Sequence, residues 1–218
     1  MTQGRKKTQR RNGKRAGALP ALQARSQEKR DRLLQAGLQV FGELGYDAAR
    51  VADIAKAADI SVGVFYQRFT DKRALFAALE DEFVDRSAER TARFLAKADS
   101  RWTALELFER LLSNMADVMK RNVGFFRALV SLAHRDRSVI GPGLTLDRRN
   151  AEMLHEYLVK RRLIGKAVGL DDVLFGIASV SKVLLVHTLM RGDSSRAGAA
   201  PDTERLARML ARYLGIDG

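Results

Sequence analysis

The chain has 218 residues, of which 46% are hydrophobic and 30% are charged, a composition typical of folded globular proteins rather than disordered ones. It contains no cysteine, which excludes disulfide bonds, cysteine-ligated zinc and thiol nucleophiles. Its net charge of +13 is spread unevenly along the chain.

The N-terminal segment carries most of this excess charge. Residues 1–25 include eight basic residues and no acidic residue, which leaves a net charge of only +5 for the rest of the chain. Because this segment has almost no apolar surface to bury, it is predicted to be a disordered basic arm. Such an arm can follow DNA phosphates or enter a minor groove, and the sequence leaves both open. No apolar signal-peptide core follows the basic residues, so we expect a cytoplasmic protein, associated with the nucleoid when bound to DNA.

Helical periodicity runs through the rest of the chain, and the sequence has no alternating β-branched run bounded by turns. The fold is therefore predicted to be all-α. The first helix is predicted to begin after the N-cap Ser26 and to end at Gly45.

Two short helices are predicted next, the first over residues 51–58 and the second from its N-cap Ser61 to Phe69. Asp59 lies between them, and Asp is one of the few residues besides glycine that tolerate a left-handed backbone. Two short helices joined by a tight turn form a helix-turn-helix, whose second helix enters the major groove of DNA.

A longer fourth helix is predicted to begin at the caps Thr70 and Asp71 and to break near Asp99. Residues 135–145 are predicted to be a loop, because Gly141, Pro142 and Gly143 lie at their centre. Residues 192–202 are predicted to be a flexible link. Further helices are predicted over residues 105–119, 123–133, 146–159, 171–190 and 203–214.

The third helix is predicted to have one buried side and one side that reads DNA. Ile60, Phe65 and Phe69 share the side that packs on the domain. The residues left to face DNA are Val62, Gly63, Val64, Tyr66, Gln67 and Arg68. Glycine at position 63 costs on the order of 1 kcal/mol of helix stability, a cost that close approach to DNA would explain. Lys72, in the first turn of the fourth helix, is predicted to help bind a phosphate.

Residues 33–79 resemble the DNA-binding domain of the TetR family of transcriptional regulators. The matching features are Phe41, Gly45-Tyr46, Val51, Ile54-Ala55, Ala58, Ile60-Ser61, Gly63, Phe65-Tyr66, Phe69, Lys72 and Leu75. The resemblance implies that the DNA-contacting positions fall on Val62, Gly63, Val64, Tyr66, Gln67, Arg68 and Lys72, with the cap Ser61 beside them. The chain departs from the family pattern at Asp59, which replaces a glycine, and at Ala49 and Arg50, which replace a helix cap. Arg50 is added to the candidate site because it can contact a phosphate.

The resemblance also implies that the remaining helices form a larger domain that dimerises and encloses a small-molecule inducer. The last two helices are the expected homodimer interface, and a two-fold dimer would read a palindromic operator in double-stranded DNA. Residues 173–190 are the one candidate membrane span, but Lys182 and His187 interrupt it, so a core or interface helix is expected.

The ligand cavity is predicted to have an apolar and aromatic lining. The candidate residues are Phe108, Leu112, Met115, Phe125, Phe126, Leu129, Tyr157 and Phe175, with His134, His187, Lys182 and Arg127 as polar candidates. The three histidines, His134, His155 and His187, are too scattered for a metal site, and no cofactor is expected.

These observations predict a basic arm over residues 1–25, a helix-turn-helix domain over 26–73 and a helical ligand-binding and dimerisation domain over 74–218. The function that they favour is a ligand-responsive regulator, by family resemblance a repressor. An enzyme is disfavoured, because the sequence has neither a glycine-rich phosphate loop nor a nucleophile elbow. The alternative is a sequence-tolerant architectural DNA-binding protein, which would show steep salt dependence and little preference between sequences.

Overall fold

A computed structural model describes residues 18–190 and 202–216, with side chains from residue 24 onward. Within these ranges every regular element is a helix, which confirms the predicted all-α fold. Residues 1–17 of the predicted arm and residues 192–201 of the predicted link lie outside the described part of the chain.

The first helix, α1, spans Ala18–Ala48. The predicted start was wrong: Ser26 lies inside α1 and does not cap it, and residues 18–25 of the predicted arm are helical. The backbone leaves the helical region at Gly45, where φ is 77° and ψ is 164°. This left-handed position confirms that the straight part of the helix ends at Gly45, since glycine adopts a positive φ without steric cost.

Helices α2 (Val51–Ala57), α3 (Val62–Tyr66) and α4 (Lys72–Ala96) follow. Asp59 has the predicted left-handed backbone, with φ of 51°. Two predicted caps are confirmed: Ser61 Oγ accepts a hydrogen bond from the amide of Val64 at 3.3 Å, and Asp71 Oδ1 accepts one from Ala74 at 2.7 Å. Helix α3 is shorter than predicted and ends at Tyr66, so Phe69 lies in the turn beyond it.

The remaining helices are α5 (Ala104–Arg121), α6 (Val123–Ala133), a 3-10 helix (Arg137–Ile140), α7 (Gly141–Lys160), α8 (Leu170–Met190) and α9 (Thr203–Tyr213). The loop predicted over residues 135–145 was wrong. Pro142 stands in the first turn of α7, where its missing N–H would have no intrahelical partner in any case. Asp136 caps the preceding 3-10 helix by accepting a hydrogen bond from the amide of Ser138 at 3.0 Å.

Two clusters of buried side chains form the interior, and α4 contributes to both. The first cluster joins α1–α4 to α6, and the second joins the end of α4 to α5, α7, α8 and α9. Phe76 of α4 contacts Phe41 of α1 with ring centroids 5.6 Å apart, and it stacks on Phe125 of α6 at 5.4 Å. Phe125 also stacks on Phe83 at 5.0 Å. The helix-turn-helix therefore shares its core with α6, and the predicted domain boundary at residue 73 stays a prediction.

Helices α1 and α6 approach each other closely at Gly42 and Gly124. A Cβ atom placed on Gly124 would lie 2.3 Å from the Cα of Gly42, which is an overlap with backbone. A Cβ atom placed on Gly42 would instead lie 3.7 Å from the Cα of Gly124, which is an ordinary contact. Only position 124 therefore requires glycine for this contact.

The substitution Gly124→Ala is expected to lower the free energy of unfolding by about 1–3 kcal/mol, because the added methyl group forces two helix backbones apart. The matched control Gly42→Ala is expected to be neutral or to stabilise by up to about 1 kcal/mol, since alanine is the better helix former. Urea unfolding followed by circular dichroism measures both. Equal effects of the two substitutions would contradict the close approach.

Candidate DNA-reading surface and ligand cavity

Helix α3 presents an exposed surface on one side and packs on the other. Phe65 is fully buried and Phe69 is buried beyond the helix end, while Val62 is 40% exposed and Tyr66 is 57% exposed. Val64 is half-buried. The exposed positions are Ser61, Val62, Gly63, Tyr66, Gln67 and Arg68. The structure thus confirms the predicted separation for Phe65 and Phe69 and for five of the six outward-facing residues, whereas Ile60 and Val64 are both half-buried.

Gly63 lies in open space on the surface of α3. The one neighbouring atom within 4 Å of a Cβ atom added there is Ser61 Oγ, at 3.8 Å. Its φ is not positive either, so neither packing nor backbone conformation within the chain requires glycine. Gly63 therefore leaves bare backbone exposed at the surface of α3.

The turn between α2 and α3 is held by Arg32 of α1. Arg32 Nη2 donates to the carbonyl oxygens of Ala58 at 2.5 Å and Asp59 at 3.0 Å, and it pairs with Asp59 Oδ2 at 3.1 Å. The contact fixes the left-handed residue that sets the angle between the two helices. Sequence reasoning missed Arg32, because its partners lie 26 and 27 residues away and no local pattern marks it.

The two candidate arginines have intramolecular partners at the surface. Arg50 pairs with Asp53, with Nε to Oδ2 at 3.0 Å and Nη2 to Oδ1 at 3.1 Å. Asp53 Oδ2 also accepts a hydrogen bond from the amide of the N-cap residue Arg50 at 3.1 Å, and no side chain caps the first-turn amides of α2. These hydrogen bonds lower the pKa of Asp53. Arg68 Nη1 donates to Ser26 Oγ of α1 at 2.5 Å.

Lys72 has a different set of contacts from the predicted one. Its Nζ donates to the carbonyl oxygens of Tyr46 at 2.7 Å, Asp47 at 3.1 Å and Ala49 at 3.0 Å. It also lies 4.6 Å from the centroid of the Tyr46 ring, in a cation–π contact. The ammonium group therefore stabilises the segment that follows Gly45, and its phosphate contact stays a prediction.

A cavity of about 640 Å³ lies among α4, α5, α6, α7 and α8. Five of the predicted lining residues line it: Met115, Phe125, Phe126, Leu129 and His134. Of the other polar candidates, Lys182 lines the cavity, whereas His187 and Arg127 do not.

The other four predicted lining residues lie elsewhere. Phe108 and Leu112 are fully buried in the second core, because their face of α5 packs against neighbouring helices rather than empty space. Tyr157 accepts a hydrogen bond from Arg161 at 2.9 Å and does not reach the cavity. Phe175 is 62% exposed and packs on Tyr213 of α9, with ring centroids 5.6 Å apart.

Polar residues that sequence reasoning missed also line the cavity. Glu80 is buried, and Asp147 and Asn150 of α7 are partly buried. Arg90 and Arg137 line the cavity from exposed positions, as Lys182 does. The interior of the cavity therefore carries acidic and amide groups, and the exposed cations lie at its rim.

Glu80 is connected to the start of α4 through Arg73. Arg73 Nη1 donates to Glu80 Oε2 at 3.3 Å, its Nε donates to Asp136 Oδ2 at 2.9 Å, and its Nη2 donates to Ser138 Oγ at 3.2 Å. Burial raises the pKa of Glu80 to about 7 against the attraction of Arg73. Hydrogen bonds from Ser138 and Arg73 lower the pKa of Asp136 to about 2.

Comparison with known proteins agrees with this geometry. Residues 33–79 match the family model of the bacterial regulatory proteins of the tetR family, and this match covers the helix-turn-helix from α1 into α4. Residues 33–79 are therefore a helix-turn-helix domain of the tetR-family type. With this domain near its N-terminus and a larger helical part after it, the chain has the fold of a transcriptional regulator of this type.

Relatives match over most of the chain. The HTH-type transcriptional regulator YvdT of Bacillus subtilis is 25% identical over 77% of this chain and 81% of its own length. A TetR-family structure from Mesorhizobium loti superposes with a TM-score of 0.70 at 20% identity, over 88% of this chain and 97% of that one. FadR from Bacillus subtilis, solved in complex with stearoyl-CoA, has a TM-score of 0.59 at 16% identity, over 84% and 96%. At these identities the two structures show the shared fold alone.

The substitution Glu80→Gln tests the buried carboxylate through the pH dependence of stability. Since the folded-state pKa of about 7 lies above the ordinary value of 4.5, Glu80 destabilises the protein above pH 7, and this destabilisation disappears as the pH falls to 4.5. Glu80→Gln should therefore stabilise the protein relative to the wild type more at pH 8 than at pH 5. The difference between the two pH values should be on the order of 1–3 kcal/mol in the free energy of unfolding.

Urea unfolding at the two pH values measures this difference. The control Glu89→Gln makes the same change at an exposed position of α4 and should show no such pH dependence. A difference that is the same at pH 5 and pH 8 would mean that Glu80 is not buried as described.

Proposed function

We propose that this protein is a cytoplasmic, ligand-responsive repressor that binds a palindromic operator as a homodimer and is released by a small molecule held in its cavity. The observation that carries the proposal is structural continuity: Phe125 lines the cavity and also stacks on Phe76, in the core of the helix-turn-helix. A ligand that moves the cavity wall would therefore act directly on the part of the chain that reads DNA.

The DNA-reading surface is proposed to be α3 with its flanking residues. The direct contacts are assigned to Arg50, Ser61, Val62, Gly63, Val64, Tyr66, Gln67, Arg68 and Lys72. Val62 and Val64 can contact thymine methyl groups, whereas Gln67 and Arg68 can hydrogen-bond to base edges or phosphates. Arg50 and Arg68 would exchange the intramolecular partners Asp53 and Ser26 for phosphate oxygens.

The homodimer is proposed to form through α8 and α9. Helix α8 is long and apolar enough, by length and composition, to cross a membrane. Only 33% of its most apolar stretch is buried within the described part of the chain, so much of its apolar surface is left uncovered. Its exposed side chains include Phe175 and Val186, and α9 adds Met209 and Tyr213. Two copies that pair these faces would form a four-helix bundle, which buries the apolar surface of both helices.

The ligand-binding part of the proposal rests on the cavity and on the family. FadR from Bacillus subtilis shares the fold and was solved with stearoyl-CoA, so the fold accommodates an amphipathic ligand in that protein. The division into a DNA-binding part over residues 26–73 and a ligand-binding and dimerisation part over 74–218 is part of the same proposal. No catalytic role is included, because the matched family consists of transcriptional regulators.

The sign of regulation rests on family resemblance alone, and the competing function is an architectural DNA-binding protein. A regulator is favoured by the exposed, unpacked Gly63, since a protein that binds through general charge attraction has no need of close backbone approach.

Selection of bound fragments from a random DNA pool should enrich an inverted repeat, bound orders of magnitude more tightly than random DNA. Gly63→Ala should fold normally, because no atom blocks the new methyl group, but it should weaken binding to the selected repeat at least tenfold. Gly42→Ala adds the same methyl group in α1 and should bind DNA like the wild type. Failure to enrich any inverted repeat would favour the architectural alternative.

The substitution Val186→Glu is expected to convert the dimer into a monomer, because it places a charge in the proposed apolar interface. Val159→Glu serves as the matched control, since Val159 of α7 is 52% exposed and Val186 is 53% exposed. Sedimentation velocity measures the oligomeric state of both variants. A Val186→Glu protein that remains dimeric would place the interface elsewhere.

A further inference from the structure

The carboxylate of Glu80 is buried in the cavity wall with half of its hydrogen-bonding capacity unused. The residue is 3% exposed, and its Oε2 accepts the hydrogen bond from Arg73. Its Oε1 has no hydrogen-bond partner in the described part of the chain. A buried acceptor without a donor is costly, and more so when the group carries charge.

The apolar surroundings of Glu80 within the cavity do not supply the missing donor. The next lining residues on α4 are Phe83 and Val84, and α6 contributes Phe125 and Phe126; the polar lining residues Ser87, Arg90 and Thr91 follow two to three turns further along α4, and none of them bonds to Glu80. A second polar atom in the lining, Oδ1 of Asn150 on α7, is also buried without a partner. When Glu80 is ionised, both unpaired atoms are acceptors, so what these two atoms lack is a donor.

We propose that Glu80 anchors a ligand whose body is apolar and whose buried end donates a hydrogen bond, as a hydroxyl or an ammonium group does. The proposal rests on the function proposed above and names the ligand class for the same cavity. A ligand that ended in a methyl group at this point would leave Oε1 unpaired, and one that ended in a carboxylate would place a negative charge against the ionised Glu80. The rim cations Arg90, Arg137 and Lys182 leave room for an acidic group only at the mouth.

Arg73 occupies Oε2 of Glu80, so Oε1 is the oxygen left for a ligand. Burial raises the pKa of Glu80 to about 7, with smaller contributions from the negative charges of Asp81 and Asp136 and against the attraction of Arg73, so the carboxyl group is ionised at pH 8. The titratable groups that line the cavity with Glu80 are Arg90, His134, Arg137, Asp147 and Lys182. An ammonium group would bind the ionised carboxylate, whereas a hydroxyl group can pair with the carboxyl group in either protonation state.

Matched ten-carbon probes test the proposal on the full-length protein without DNA. Calorimetric titration with decan-1-ol, decylammonium and decanoate compares a neutral donor, a cationic donor and an acceptor on the same apolar chain. At pH 8 we expect decan-1-ol and decylammonium each to bind at least tenfold more tightly than decanoate. Equal affinities would mean that water alone satisfies Glu80 and would overturn the proposal, as would failure of both donors to bind or tighter binding of decanoate.

The variant Glu80→Gln separates the two donors. It should reduce decylammonium affinity at least tenfold while changing decan-1-ol affinity only a few-fold, because glutamine keeps an acceptor oxygen but loses the charge. Glu89→Gln should leave all three affinities unchanged, since Glu89 is exposed and does not line the cavity. If Glu80→Gln binds all three probes like the wild type, Glu80 is not the anchor.

The pH dependence gives a second readout for the same residue. The pKa of about 7 predicts that decylammonium binds the wild type about tenfold more tightly at pH 8 than at pH 6, because only the ionised carboxylate is competent. This dependence should vanish in Glu80→Gln, which separates Glu80 from the other titratable groups of the cavity. A dependence that persists in the variant would assign it to another group and count against the proposal.

Failure of this proposal differs from failure of the proposed function. Donor probes that bind through Glu80 but do not release the selected DNA would leave the anchor intact and contradict the inducer role. Release of DNA by probes without any preference for a donor would support the inducer role and contradict the anchor.

Discussion

The close approach of α1 and α6 at Gly42 and Gly124 is the constraint on which the rest of the structure depends. A side chain at position 124 would overlap the backbone of α1, so only glycine allows the two helices to come together there. The contact brings the next residue, Phe125, against Phe76 and Phe83 of α4. The same phenylalanine therefore belongs to the helix-turn-helix core and to the cavity wall, so the two parts of the chain share packed side chains.

Local features of the helix-turn-helix could be predicted because their causes lie within a few residues. The caps Ser61 and Asp71 bond to amides three residues later, and the left-handed backbone of Asp59 follows from its own side chain and the short turn. The same reasoning failed over residues 135–145, where Pro142 starts a helix instead of breaking one. Glycine and proline mark both loops and helix starts, so sequence alone does not separate the two.

In the candidate sites, too, features with local causes could be predicted and features that depend on distant residues could not. The outward face of α3 followed from its helical period, but the contacts that orient it, such as Arg32 with Asp59, join residues far apart in sequence. In α5, periodicity marked Phe108 and Met115 equally, although only Met115 borders empty space. Glu80 was missed because it opens the charged run from Glu80 to Glu82, which is typical of a solvated surface. Whether an apolar face fills a core or lines a cavity depends on distant helices.

Glu80 shows how one helix connects the two proposed sites. Helix α4 carries Lys72 and Arg73 at its first turn and Glu80 two turns later, so ligand chemistry at Glu80 acts on the charge next to Arg73. Arg73 also holds Asp136 and Ser138, while its neighbour Lys72 holds the segment after α1 through three carbonyl oxygens. A buried carboxylate with one unpaired oxygen lowers stability, and the hydrogen bond that Arg73 donates to the other oxygen offsets only part of that loss. A ligand that donates to Glu80 would recover this free energy. Such a ligand shifts the protein between DNA-bound and released states only if it recovers more free energy in one arrangement of α4 than in the other.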